Sequence, residues 1–188
     1  MQVPAQVGSG EYEDRGSRFS AWVFEIADEE AFKEKLAAIK KQHSKARHWC
    51  WAWRVGDAYR FEDDGEPGGT AGRPMLQVLE GRQLQNVAAI CVRYFGGVKL
   101  GTGGLVRAYG GATAKAADQA GTRTVIPRIT LDVRLPFPRL GALEEIKAKF
   151  PSAIFRGEFN DTGWIGTIEM DEPDAPQISK FFWEPPSS

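Results

Sequence analysis

Two glycine-rich stretches hold the residues best placed to do chemistry. The first runs Asp63-Asp64-Gly65-Glu66-Pro67-Gly68-Gly69-Thr70-Ala71-Gly72-Arg73-Pro74. The second, at 96–104, follows Arg93-Tyr94-Phe95 and leads through Lys99, Gly103 and Gly104 to Arg107. Glycine loses much backbone entropy on folding, so a cluster needs a reason: positive-φ turns, close backbone approach, or N–H groups turned toward an anion. With Gly103 and Gly104 at the start of a helix, their N–H groups favour negative charge; Lys99 and Arg107 flank that start, and Arg93 sits near the end of the strand feeding it. The chemistry this implies is binding of an anion, with nucleic-acid phosphate as the foremost candidate. A tight strand-to-helix crossover carrying surface bases fits the same residues equally well.

Nucleotide fingerprints do not fit. Lys99 is followed by Leu100, where a Walker loop needs Ser or Thr after its lysine. In the dinucleotide pattern beginning at Gly101 and Gly103, the third glycine position is Val106. Asp63, Asp64 and Glu66 are hard-cation ligand types, but their spacing matches no EF-hand, and Pro67 among glycines makes a turn. A structural role is expected for them, with a salt link to Arg73, Arg93 or Lys99 joining the two loops. No metal and no cofactor is expected. His48 and Cys50 share one strand face, the placement of a base and a thiol nucleophile. A small apolar Cys beside a polar His is the favoured reading, and Cys91 lies in an apolar run that belongs to the core.

Around these loops the chain alternates strand and helix patterns. Phe19 to Ile26 alternates as a strand. Asp28 is a helix N-cap, followed by Glu29 and Glu30, with Phe32, Leu36 and Ile39 at helical spacing to about His43. Trp49, Trp51 and Trp53 share one face of a strand over Arg47 to Val55. Bases beside these tryptophans raise a single-strand stacking platform as one option, but half of a core is favoured. Gly56-Asp57 turns into a strand at Tyr59 to Glu62. Pro74 opens a short helix ending near Gly81. Val87 to Phe95 reads as a strand buried on both faces. Leu105 to Ala120 reads as an Ala-rich helix, in which Gly110 and Gly111 suggest close packing on a sheet. Met1 to Ser17 reads as loose at its start.

Beyond Pro127 the pattern is strand (129–135), helix (138–150), strand (153–159), turn, strand (164–170) and a last helix (176–182). That order is a ferredoxin-like unit without its final strand. The expected class is α+β, with domains over 15–126 and 127–184 and a disordered tail from Glu184. Residues 1–126 carry a net charge of +2 and residues 127–188 one of −3, so neither half is globally basic. Any nucleic-acid contact must come from a local patch. There is no apolar run of 18 residues and no signal-peptide pattern at the start, and only two cysteines occur. These features imply a reduced, cytoplasmic protein that does not enter membranes.

The stretches Ser17-Arg18-Phe19, Arg47-His48-Trp49-Cys50-Trp51-Ala52, Asp63 to Pro74 and Arg93 to Tyr109 together resemble the YigZ/Impact family. The resemblance covers roughly residues 15–122, and the tail resembles the small ferredoxin-like domain that follows in bacterial members. It implies that the first domain has the fold of ribosomal protein S5 domain 2, which points toward RNA or the ribosome by analogy of fold. Eukaryotic Impact proteins act in translational control and carry an additional N-terminal RWD domain. The family supplies no assigned catalytic residues; Asp63, Asp64, Glu66, Arg93, Lys99 and Arg107 lie in its signature. The expectation is a non-enzymatic protein that binds RNA or a ribosome-associated partner through Arg73, Arg93, Lys99 and Arg107. The alternatives are a small-ligand or phosphate-binding enzyme using loops 63–74 and 96–104, and an interaction module whose acidic second domain docks a basic partner.

Overall fold

The computed structural model describes residues 1–178, which divide into two compact units, the first spanning Met1–Val125 and the second beginning at Ile126. The class is α+β, as the periodicities indicate.

The first unit is built on a five-stranded antiparallel sheet. Its strands are β2 (Gly8–Asp14), β3 (Ser17–Glu25), β4 (His48–Val55), β5 (Ala58–Glu62) and β6 (Val87–Tyr94), in the order β2-β3-β6-β4-β5. A short β1 (Gln2–Pro4) pairs with β7 (Thr122–Thr124). Helix α1 (Glu29–Gln42) covers one face of the sheet; α2 (Gly72–Gly81) and α3 (Gly101–Ala120) cover the other. The Asp28 side chain accepts from the Ala31 N–H at 2.8 Å, so the N-cap expected for α1 is present.

Side-chain alternation in β4 divides the core. Trp51 and Trp53 join Trp22, Phe24, Phe32, Leu36 and Ile90 beneath α1. Cys50 and Ala52 point the other way, toward Met75, Leu79 and Tyr109. The tryptophan face is therefore core, and Lys40 covers the Trp49 ring at 5.6 Å. β6, the central strand, is buried along nearly its whole length, which explains its unbroken apolar run.

Three expectations need correction. The start of Met1 to Ser17 is not loose: β1 is paired with β7, and β2 after it is paired with β3 and lies along α3. A Cβ at Gly8 or Gly10 would collide with α3 backbone at Ala116 or Ala112, so the closest helix–sheet approach comes from strand glycines. In α3, Gly111 does pack closely on the sheet as expected, against the Tyr12 ring of β2, whereas Gly110 meets only Pro74 at 3.9 Å. Finally, α3 begins at Gly101 rather than Leu105, so Gly101 to Gly104 form its first turn. Glycine's low helix propensity hides that turn from the sequence pattern.

The second unit has β8 (Arg128–Pro136), α4 (Gly141–Lys149), β9 (Ile154–Asn160), β10 (Gly163–Asp171) and α5 (Ala175–Ile178). Its antiparallel sheet runs β8-β10-β9, which is the order of a split βαβ unit without its last strand. Val133, Leu135, Ile146, Trp164, Ile168 and Ile178 form its core. Most of the last helix expected at 176–182, and the tail from Glu184, lie outside the described residues.

Candidate functional site

Two networks shape the glycine loops. In the first, Asp63 leaves the end of β5 with its carboxylate turned back into its own loop. Its Oδ1 accepts from the N–H groups of Ala71 (3.0 Å) and Gly72 (2.8 Å), and its Oδ2 from Gly69 (2.8 Å). One carboxylate thus satisfies three N–H groups, two of them at the start of α2, which has no adjacent side-chain cap. Asp64 adopts φ +45°, a region Asp tolerates better than most residues, and its Oδ2 accepts from Trp49 N–H at 2.7 Å. The loop is thereby fastened to β4 and α2.

In the second network, Glu66 turns inward and is buried. Arg93, at the end of β6 and only 5% exposed, donates from Nη1 to both Glu66 oxygens at 2.8 and 3.0 Å. Tyr109, one turn past Leu105 on α3, donates its hydroxyl to Glu66 Oε1 at 2.7 Å. Burial pushes the Tyr109 phenol well up from its usual range, which keeps that proton in place. His48 donates from Nδ1 to the Asp64 carbonyl at 2.8 Å, and its Nε2 faces Glu66 Oε1 at 3.9 Å. The salt link expected between the loops is therefore Glu66–Arg93.

Arg93 also ties down the second loop. Its Nη2 donates to Ser17 Oγ at 3.3 Å, and the same oxygen accepts from Gly96 N–H at 3.2 Å. Gly96 lies against the Gly16–Ser17 backbone so closely that any Cβ would collide with it. The Arg93 guanidinium lies over the rings of both Phe19 and Phe95, each at 5.4 Å.

Above this network a cleft of ≈ 320 Å³ opens between the loops, lined by Glu66, Pro67, Arg93, Phe95 and residues Lys99 to Thr102 and Leu105. The floor is the closed Glu66–Arg93 pair. Lys99 and Phe95 are exposed at the rim, and the start of α3 enters the wall with no side-chain cap and no acid in its first turn. Arg107 is exposed one turn along α3, with its guanidinium beside Gly103. The sequence-level site residues therefore fall into separate groups. Lys99, Gly103 and Arg107 share the exposed start of α3, and Gly104 is buried beneath it. Arg93 is on the floor with its charge already matched. Arg73 is exposed on the first turn of α2 and does not line the cleft.

Cys50 and Cys91 face each other across β4 and β6 and are both fully buried. The Cys50 thiol donates to the Asp63 carbonyl at 3.0 Å, and burial raises both thiols well above their usual range. Neither is an activated nucleophile. Among the described residues no three His, Cys, Asp or Glu side chains are grouped to hold a metal ion, and no helix is long and apolar enough to cross a membrane.

Ser17, Tyr109 and Phe95 are site residues that sequence reasoning does not single out. Tyr109 has the clearest signal: it is the lone aromatic in an Ala-rich helix, and a buried tyrosine hydroxyl requires a partner.

The fold and loops together define an α+β protein whose two glycine loops are locked by a buried Glu–Arg–Tyr cluster beneath an open basic cleft. Residues 15–117 match the Impact N-terminal domain, and the chain belongs to the Impact family. It is 37% identical over 162 residues to an IMPACT family member of Haemophilus influenzae, covering 84% of this chain and 79% of that protein. It is 35% identical to the IMPACT family member YigZ of Escherichia coli, with the same 84% and 79% coverage. A relative from Thermus thermophilus is 46% identical over 125 residues, covering 66% of this chain and 68% of its own length. A crystal structure described as a hypothetical protein superposes with a TM-score of 0.70 at 30% identity, covering 95% of this chain and 89% of that one.

Proposed function

We propose that this chain is a non-enzymatic binding protein of the translation machinery, acting in the cytoplasm and holding RNA at the cleft between its glycine loops. The observation that carries this reading is the cleft: Lys99 and the start of α3, which has no side-chain cap, line it beside the exposed Phe95 ring, and Arg107 is exposed farther along the same helix. Backbone N–H groups at a helix start, together with lysine and arginine, form a phosphate site. Family membership supports a place in translational control, which is the role of the eukaryotic Impact proteins. The floor supports a binding role over a catalytic one, because the acid is bonded to Arg93 and Tyr109. The test is filter binding of RNA together with ribosome co-sedimentation, each across a salt series, for the wild type and K99A/R107A. Weaker binding and a flatter salt dependence in the variant support the reading. Unchanged binding of either kind defeats it.

The cleft's size favours one second reading. At ≈ 320 Å³ it falls within the range of small-ligand sites, about 300–1,000 Å³. A phosphorylated small molecule would bind through the same groups. A rise in melting temperature with inorganic phosphate or nucleoside monophosphates, without RNA binding, would select it.

A further inference from the structure

We infer that the cleft is selective for single-stranded RNA, with Phe95 as the platform on which one unpaired base stacks; this rests on the RNA reading above. Phe95 is 45% exposed, yet its ring is held in place by the Arg93 guanidinium at 5.4 Å. Arg93 is itself fixed by Glu66 and Ser17. An aromatic ring that is both open to solvent and clamped from beneath needs little further ordering when it takes a stacking partner. The same cleft carries Lys99 and the α3 start, which are suited to phosphate. A stacking ring and a phosphate site in one small cleft match a splayed nucleotide. Duplex bases are already stacked and are not available to a lone ring, and a duplex is read mainly along its backbone.

The ring also differs from the charged groups in chemical role, so the two contributions can be separated. Lys99 and Arg107 act on any phosphate chain and set the salt dependence. Phe95 acts only on an unpaired base and leaves the salt dependence nearly unchanged.

The experiment measures equilibrium binding of a 12-nucleotide single strand containing 2-aminopurine, and of a 12-base-pair RNA duplex, to wild type, F95A, F95W and K99A/R107A. Melting temperatures confirm that each variant is folded. The expected result is tighter binding of the single strand than of the duplex, with quenching of 2-aminopurine on binding. F95A should lose roughly tenfold or more in single-strand affinity along with the quenching, and F95W should keep both. Duplex affinity should not change in F95A. Equal affinity for both RNAs, with F95A indistinguishable from wild type, overturns this inference and leaves the RNA reading standing. An equal loss on both RNAs in F95A also overturns it, because the ring would then serve only to hold the loop. If wild type binds neither RNA while its co-sedimentation with ribosomes survives nuclease, both readings fall and the face belongs to a protein partner.

Discussion

The floor and the rim of the cleft meet at the same two loops yet obey opposite rules. On the floor, Glu66, Arg93, Tyr109 and Ser17 match every charge internally, and Glu66 and Arg93 are under 10% exposed. On the rim, Lys99 stands in solvent beside a helix start that no acid neutralises, and Arg107 is exposed farther along the same helix. A buried charge is tolerated only when paired and hydrogen-bonded, so the floor is committed to holding the loops together. Exposed bases keep their hydration and are free to meet a ligand. A signature rich in acids and bases can thus be divided by burial into residues that build the site and residues that use it.

The division makes predictions of decreasing size. E66A strands the Arg93 charge in the interior and should cost about 3–5 kcal/mol in urea unfolding. Replacing both partners, E66M/R93M, should recover most of that loss; if E66A unfolds no more easily than wild type, the floor is not a structural unit. Y109F removes one bond to a charged acceptor and should cost about 1.5–3 kcal/mol by the same measurement. D63A removes the acceptor for three loop N–H groups, including two at the start of α2, and should cost about 0.5–2 kcal/mol, the range of a missing helix cap.

The smallest effect is in pH. Cys50, Cys91 and Tyr109 all have raised folded-state values, so each contributes stability that is intact at low pH and is lost as pH rises past its unfolded value. For the thiols that loss begins near the reference value of 9.0. Urea midpoints should therefore be insensitive to these groups from pH 6 to 8 and fall from pH 9 to 10. C50A should make that fall shallower; an unchanged slope would remove Cys50 from the buried set.

Much of this organisation is legible in the sequence. The strict alternation at Trp49-Cys50-Trp51-Ala52-Trp53 reports a sheet with different cores on its two faces, because strand side chains alternate with period two. The Asp28 cap and the continuous apolar run of β6 are local signals as well. What is not legible depends on distant partners. Gly8 and Gly10 appear as flexible residues until α3 is laid across them. Gly101 to Gly104 resemble a loop, because three glycines in four residues carry almost no helix propensity. Arg93, Lys99 and Arg107 are all read in sequence as bases for an anion, and only the fold shows that Arg93 is already paired with Glu66. Tyr109 and Ser17 join the floor from 43 and 76 residues away from their partners, so no spacing rule finds them.

The most direct test of the division is the salt dependence of single-stranded RNA affinity in K99A/R107A, measured beside the variant's unfolding. Stability should stay within about 0.5 kcal/mol of wild type, as expected for exposed positions. Affinity should fall, and the slope of log K against log salt should flatten by up to about 1.4, at roughly 0.7 for each single-strand phosphate that the variant no longer neutralises. An unchanged slope with unchanged affinity, or an affinity that falls only in step with stability, would contradict the account.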